Sequence, residues 1–168
     1  KDAAITGPQH RHFMECSWEA LEHAGHPPSR FKGSIGVFAG CGMNAYFMSN
    51  VLSHPELVRS VGLFLLRHTG NDRDFMPTGV SYKLNLRGPS VAVQTACSSS
   101  LVAVHIAGQS VLAGECDMAL AGGVSIILPH RHGYHYRENE VQARDGRCCA
   151  FDHRASGTVL TSGVGVVV

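Results

Sequence analysis

Apolar positions recur at helical spacing as soon as the chain passes Pro8. Met14, Trp18 and Leu21 share a stripe with Phe13, Ala20 and Ala24, while Glu15, Glu19 and Glu22 gather on another face. The spacing predicts a helix opened by Pro8 and stopped by Gly25, Pro27 and Pro28. Ser34 to Ala39 is short, apolar and β-branched and runs into Gly40-Cys41-Gly42, which predicts a strand ending in a tight turn. Residues 45–69 hold one or two helical pieces, with Pro55 near the start of the second, and Asp72 to Leu84 a short helix. Beyond the Arg87-Gly88-Pro89 turn, Ser90 to Gln94 reads as a strand. From Ser98 to Leu112 nearly every residue is small or apolar, as in a helix buried on several faces. Asp117 to Leu128 predicts a strand interrupted at Gly122-Gly123. A His- and Arg-rich stretch, a loop around Asp145-Gly146 and a last strand from Thr158 complete the pattern. Strands alternating with helices predict an α/β layered fold with a mostly parallel sheet.

Composition narrows the partners. With 44% apolar and 16% charged residues, the 168-residue chain reads as one folded domain without internal repeats. Fourteen basic residues against thirteen acidic ones form no basic cluster, which argues against nucleic acid. The longest apolar stretch, Met118 to Leu128, is well short of the roughly 20 residues that cross a bilayer. The start, Lys1-Asp2-Ala3-Ala4, has no secretory-leader pattern, so a cytoplasmic location is expected. Cys16, Cys41, Cys97, Cys116, Cys148 and Cys149 show no CxxC spacing and are read as reduced. The absent initiator Met and the final run Val164-Gly165-Val166-Val167-Val168, which reads as a buried strand lacking a partner, suggest a piece of something larger, cut at both ends.

The chemistry points to Cys97. Thr95-Ala96-Cys97-Ser98-Ser99-Ser100 lies where a strand turns into a helix, so this thiol is placed at a helix start. Free amides and the helix dipole there favour a thiolate, and the same amides can hold an oxyanion. The small neighbours leave room for a thioester, and the serine hydroxyls are expected to cap the helix.

The run from Val80 to His105, which includes Gly88-Pro89-Ser90 and Gln94-Thr95-Ala96-Cys97-Ser98-Ser99-Ser100, resembles the active-site region of β-ketoacyl synthases of modular polyketide synthases. Further likeness lies in Gly7-Pro8-Gln9-His10-Arg11, in Trp18-Glu19-Ala20-Leu21-Glu22, in Gly114 to Val124, and in Asp145-Gly146-Arg147-Cys148 with Phe151-Asp152. The resemblance implies a thiolase-like fold of which residues 1–168 form most of the first half, as a partial ketosynthase domain. It also implies an acyltransferase whose nucleophile is Cys97, with the Cys97 backbone N–H in the oxyanion hole. An acyl carrier protein would deliver the chain on a phosphopantetheine arm, with no tightly bound cofactor. A malonyl-type extender would then lose carbon dioxide and attack the Cys97 thioester. Homodimerisation near the Ser90–Gln94 strand is implied as well.

The family's two catalytic histidines and its lysine fall beyond the last residue. None of His105, His130, His132, His135 or His153 occupies a matching motif, so the isolated piece is expected not to condense. Gly79 stands where related sequences commonly have Arg. Ile5-Thr6-Gly7 and Leu160-Thr161-Ser162 depart from the usual pattern too. Three other readings compete. A zinc site could draw on His130, His132, His135, Cys148 and Cys149, but its spacing fits no familiar finger. Gly36, Gly40 and Gly42 follow a strand as in nucleotide-binding folds, but do not make GxGxxG. A non-extending acyl-loading piece, or a structural or carrier-docking piece, is the third.

Overall fold

The computed structural model describes residues 2–130 and 132–168; Lys1 lies outside the described residues. Along the chain come α1 (Asp2–Ile5), α2 (Pro8–His23), β1 (Ile35–Cys41), a π-helical turn (Phe47–Val51), α3 (Pro55–Val61), α4 (Leu63–Gly70) and α5 (Phe75–Leu84). There follow β2 (Ser90–Ala92), a 3-10 turn (Ala96–Ser98), α6 (Ser99–Leu112), β3 (Met118–Ser125) and β4 (Gly163–Val167). Two compact units divide the chain: residues up to Ile126 together with Gly163–Val168, and Ile127–Ser162.

The first unit is built on β1, whose seven residues are all buried. A strand enclosed on both faces reads as a continuous apolar run rather than an alternation, and Ile-Gly-Val-Phe-Ala-Gly-Cys is such a run. The sheet order is β2-β1-β3-β4. β1 pairs parallel with β2 and β3, whereas β4 runs antiparallel to β3. Ile35, Val37, Ala39 and Cys41 face one side, where Leu120 and Val124 of β3 join Phe13 and Leu21 of α2 and Met76 and Val80 of α5. Phe38, Ala119 and Ala121 face the other side, where Ala103 and Ala107 of α6 close a second core. Truncating fully buried Leu21 to alanine would cost about 2–5 kcal/mol. The expected α/β layering is therefore present.

Several local expectations need correction. The buried stripe of α2 carries Gln9, His10, Phe13, Ser17 and Leu21, whereas Trp18 is 42% exposed. Ser17 is tolerated inside because its hydroxyl donates to the Phe13 carbonyl at 2.7 Å. Residues 45–69 form three helical pieces rather than one or two. β3 runs unbroken through Gly122-Gly123, because the glycines permit close approach; a Cβ on Gly122 would lie 2.0 Å from the Gly165 carbonyl oxygen across the β3–β4 ladder. The last strand starts at Gly163, not Thr158, and is a mostly exposed partner of β3 rather than a buried, unpartnered one. The regular part of β2 spans three residues, although Val93 N–H still donates to Ala39 O at 2.9 Å. Finally, α6 buries only Ala103, Ala107 and Ser110, leaving Leu101 75% and Leu112 82% exposed. Its all-round apolarity predicted enclosure, but the described residues cover just the sheet-facing side.

The second unit, Ile127–Ser162, contains neither helix nor multi-residue strand among its described residues. A single parallel bridge, Gln142 to Thr158, ties it together, with Ala143 N–H donating to Thr158 O and Thr158 N–H to Val141 O, both at 2.8 Å. The Tyr134 hydroxyl donates to the Ala143 carbonyl. Asp145 accepts from Arg147 N–H at 3.1 Å and from the Ser156 hydroxyl at 3.2 Å, which holds its carboxyl below the ordinary range. Among the described residues no group of three or more His, Cys, Asp or Glu side chains is placed to hold a metal ion. No helix of the described residues is long and apolar enough to cross a membrane.

Candidate active site

Cys97 sits in the 3-10 turn that joins β2 to α6, and its side chain is exposed. The preceding residue, Ala96, takes a left-handed conformation with φ of 54°. For a residue with a Cβ this costs about 1 kcal/mol, and such strain recurs where a chain must turn sharply to present a reactive group. Here it lets the chain leave its extended path and enter the helix within one residue, which leaves the thiol at the corner.

The hydroxyls around the turn serve a purpose other than the expected one. They do not cap the free amides of α6. Instead, Ser98 Oγ donates to Thr95 O at 2.8 Å, and Ser99 Oγ donates to Ala96 O at 2.8 Å while accepting from Thr95 N–H at 2.9 Å. These bonds lock the strained turn to itself, and the Cys97 N–H takes part in none of them. Among the described residues that N–H has no hydrogen-bond partner.

The glycines that resembled a nucleotide loop explain why the turn lies where it does. A Cβ on Gly40 would lie 2.6 Å from Ser99 Cβ, and one on Gly123 would lie 3.3 Å from Ser100 Cβ. Their absence lets the first turn of α6 settle directly on the sheet. Gly42 instead makes room first for Ser125, whose Oγ would lie 2.6 Å from an added Cβ, and then for Gln9, whose amide donates to Gly42 O at 3.2 Å and accepts from Ile126 N–H at 2.9 Å. Gln9, only 2% exposed, thereby ties α2 to the ends of β1 and β3.

Cys97 opens on a cleft of about 550 Å³ whose lining includes Cys41, Arg73, Gln94, Ser99 and Ser125. The sequence had not marked Cys41, Arg73 or Gln94. Cys41 is buried, and burial pushes its thiol up to about 11, with the positive charge of Arg73 acting in the opposite sense. It is thus a protonated wall of the cleft rather than a second nucleophile. With its carboxamide turned to suit both partners, Gln94 donates to Cys41 O at 3.2 Å and accepts from Cys41 N–H at 3.1 Å.

Comparison with known proteins identifies the family. A family model described as the beta-ketoacyl synthase N-terminal domain matches residues 1–168. One component of the phenolphthiocerol/phthiocerol polyketide synthase of Mycobacterium tuberculosis is 53% identical over 171 residues, which span 99% of this chain and 12% of that protein. A pikromycin polyketide synthase component of Streptomyces venezuelae is 41% identical over 169 residues, spanning 100% of this chain and 4% of that protein. Among solved structures, ketosynthase twelve of the bacillaene polyketide synthase from Bacillus amyloliquefaciens superposes with a TM-score of 0.87 at 31% identity. That alignment covers 99% of this chain and 28% of the solved one. The chain thus spans about an eighth or less of these two synthases and little over a quarter of the solved ketosynthase.

Proposed function

The chain belongs to the β-ketoacyl synthase family and has its thiolase-like fold, and from that premise we propose that residues 1–168 carry the acyl-accepting centre of a polyketide ketosynthase domain, with Cys97 as nucleophile. The observation that carries this reading is the exposed thiol at a strained corner, between a helix start and an open cleft.

In the proposed step the Cys97 thiolate attacks the carbonyl carbon of an acyl thioester borne on the phosphopantetheine arm of an acyl carrier protein. The Cys97 N–H donates to the oxyanion that forms. As the tetrahedral centre collapses, the carbon–sulfur bond to the arm breaks, the arm leaves as its thiol after taking up a proton, and the acyl group stays on Cys97. A malonyl-type extender then loses carbon dioxide, and its carbanion attacks the Cys97 thioester to release the thiolate and a β-ketoacyl product. The groups that assist decarboxylation are expected from outside these residues. β2 lies at an outer edge of the sheet, which supports the further reading that a second copy of the domain joins near Ser90–Gln94.

The test uses the complete natural polypeptide and an acyl N-acetylcysteamine thioester, with peptide mass mapping as the readout. Cys97→Ala should abolish acylation and Cys97→Ser should lose most of it, because an unactivated hydroxyl is the poorer nucleophile. Undiminished acylation of the alanine variant would refute the assignment.

A further inference from the structure

Arg73 is the one charged side chain among the described residues lining the Cys97 cleft. It follows Asp72, whose carboxylate is already held by Arg67 at 3.1 Å and faces His68 at 3.8 Å. Among the described residues Arg73 itself makes no ion pair and no side-chain hydrogen bond. Of the polar side chains that share the lining, Gln94 is bonded to the backbone of Cys41 and the Ser99 hydroxyl to Ala96 O and Thr95 N–H, while Ser100 and Ser125 add neutral hydroxyls, so Arg73 supplies the charged donors. Much of the remaining lining is glycine and offers no side-chain donor. The Arg73 charge is felt inside the cleft, since it opposes the effect of burial on Cys41.

Resting on the reading of Cys97 as acyl acceptor, we propose that Arg73 selects acyl chains bearing an oxygen acceptor, a carboxylate or a hydroxyl, several carbons beyond the thioester carbonyl. A cleft of about 550 Å³ is roughly 10 Å across if compact, within the span of a medium-length acyl chain. A guanidinium stays charged at any working pH and presents five donors. An alkyl chain in the cleft offers those donors no acceptor, whereas a carboxylate or hydroxyl that reaches them forms charge-assisted bonds.

The experiment measures single-turnover acylation of Cys97 in the complete polypeptide. Thioesters of matched chain length, alkyl, hydroxylated and ω-carboxylated, are supplied on N-acetylcysteamine and again on phosphopantetheine. The wild type is expected to favour the oxygen-bearing chains by about tenfold or more on either arm. Arg73→Leu should bring that ratio to about one, and Arg73→Lys should restore part of it for the carboxylate. Arg73 is exposed, so neither substitution disturbs the core. A ratio unchanged in Arg73→Leu overturns the proposal. So does a loss confined to phosphopantetheine thioesters whatever their chain, because the guanidinium then serves the phosphate of the arm. If no thioester acylates Cys97 in any variant, the nucleophile assignment fails and this inference falls with it, a result distinct from a flat ratio on a working thiol.

Discussion

Replacing Gly40 with alanine tests whether the sheet itself sets the position of Cys97. The added Cβ would lie 2.6 Å from Ser99 Cβ and 2.9 Å from the Val93 carbonyl oxygen. Carbon atoms are comfortable at about 3.5–4.0 Å, so one side must give by roughly 1 Å. Neither obstacle is the end of a flexible chain. Ser99 Cβ is fixed to the first turn of α6, and its hydroxyl is bonded to both Thr95 and Ala96. A retreat of Ser99 therefore drags the turn that holds Cys97. Overpacking of this kind costs about 1–3 kcal/mol, and a nucleophile misplaced by about 1 Å can lose about a hundredfold in rate. Gly108 is the control, because it lies on the same helix with nothing within 4 Å of an added Cβ. Gly108→Ala should gain about 0.5–1 kcal/mol from helix propensity and leave acylation at the wild-type rate. Mass-detected acylation of Cys97 and denaturant unfolding, both on the complete polypeptide, read the two effects. If Gly40→Ala acylates at the wild-type rate with unchanged stability, missing side chains on the sheet do not set the position of Cys97.

Two further outcomes follow from burial. His10 is 8% exposed, and desolvation lowers it from 6.5 to about 4, with Asp72 opposing the shift. Below pH 6.5 the unfolded chain takes up a proton that folded His10 refuses. Stability is therefore fully present above that pH and is lost as pH falls toward 4, by about 3 kcal/mol. In denaturant titrations at several pH values, His10→Gln should flatten that segment of the profile; an unchanged slope counts against burial of a neutral ring. Among the thiols, Cys97 and Cys148 are exposed whereas Cys41 and Cys116 are buried. Alkylation of the folded protein should therefore spare Cys41 and Cys116, and Cys97, the one thiol at a helix start, should react first; equal labelling of all six contradicts the structure.

What the sequence conveyed well was set by local rules, and what it concealed depended on partners far along the chain. Pro8 marked the start of α2, and the change from strand to helix around Cys97 was visible because β-branched residues give way there to small helix formers. The orientation of α2 was not visible. Hydrophobic spacing placed Trp18 inward, yet Gln9 and Ser17 occupy that face because each satisfies its polar atoms, Gln9 with Gly42 and Ile126 and Ser17 with Phe13. A buried polar group with all its partners costs little, and apolar periodicity cannot register it. Arg73 was hidden for a related reason. Within Asp72-Arg73-Asp74 it looks like a solvated charge run, and only the fold turns it toward the cleft.

The glycines show how one pattern supports opposite readings until strand geometry is applied. Alternate residues of a strand face opposite sides, so Gly36 and Gly40 share one face with Phe38, while Ile35, Val37, Ala39 and Cys41 share the other. In β3 the same face carries Ala119, Ala121 and Gly123, in register with Gly36, Phe38 and Gly40. One side of the sheet is thus small at almost every position, and α6 meets it with Ala103, Ala107 and Ser110. Small residues against small residues permit close packing, closest where Gly40 and Gly123 face Ser99 and Ser100. A phosphate-binding loop needs its glycines after the strand, where backbone amides must be free. Here Gly36 and Gly40 lie within β1, spaced by four, and this period-two asymmetry is what separates a seat for the helix of the proposed nucleophile from a cradle for a nucleotide.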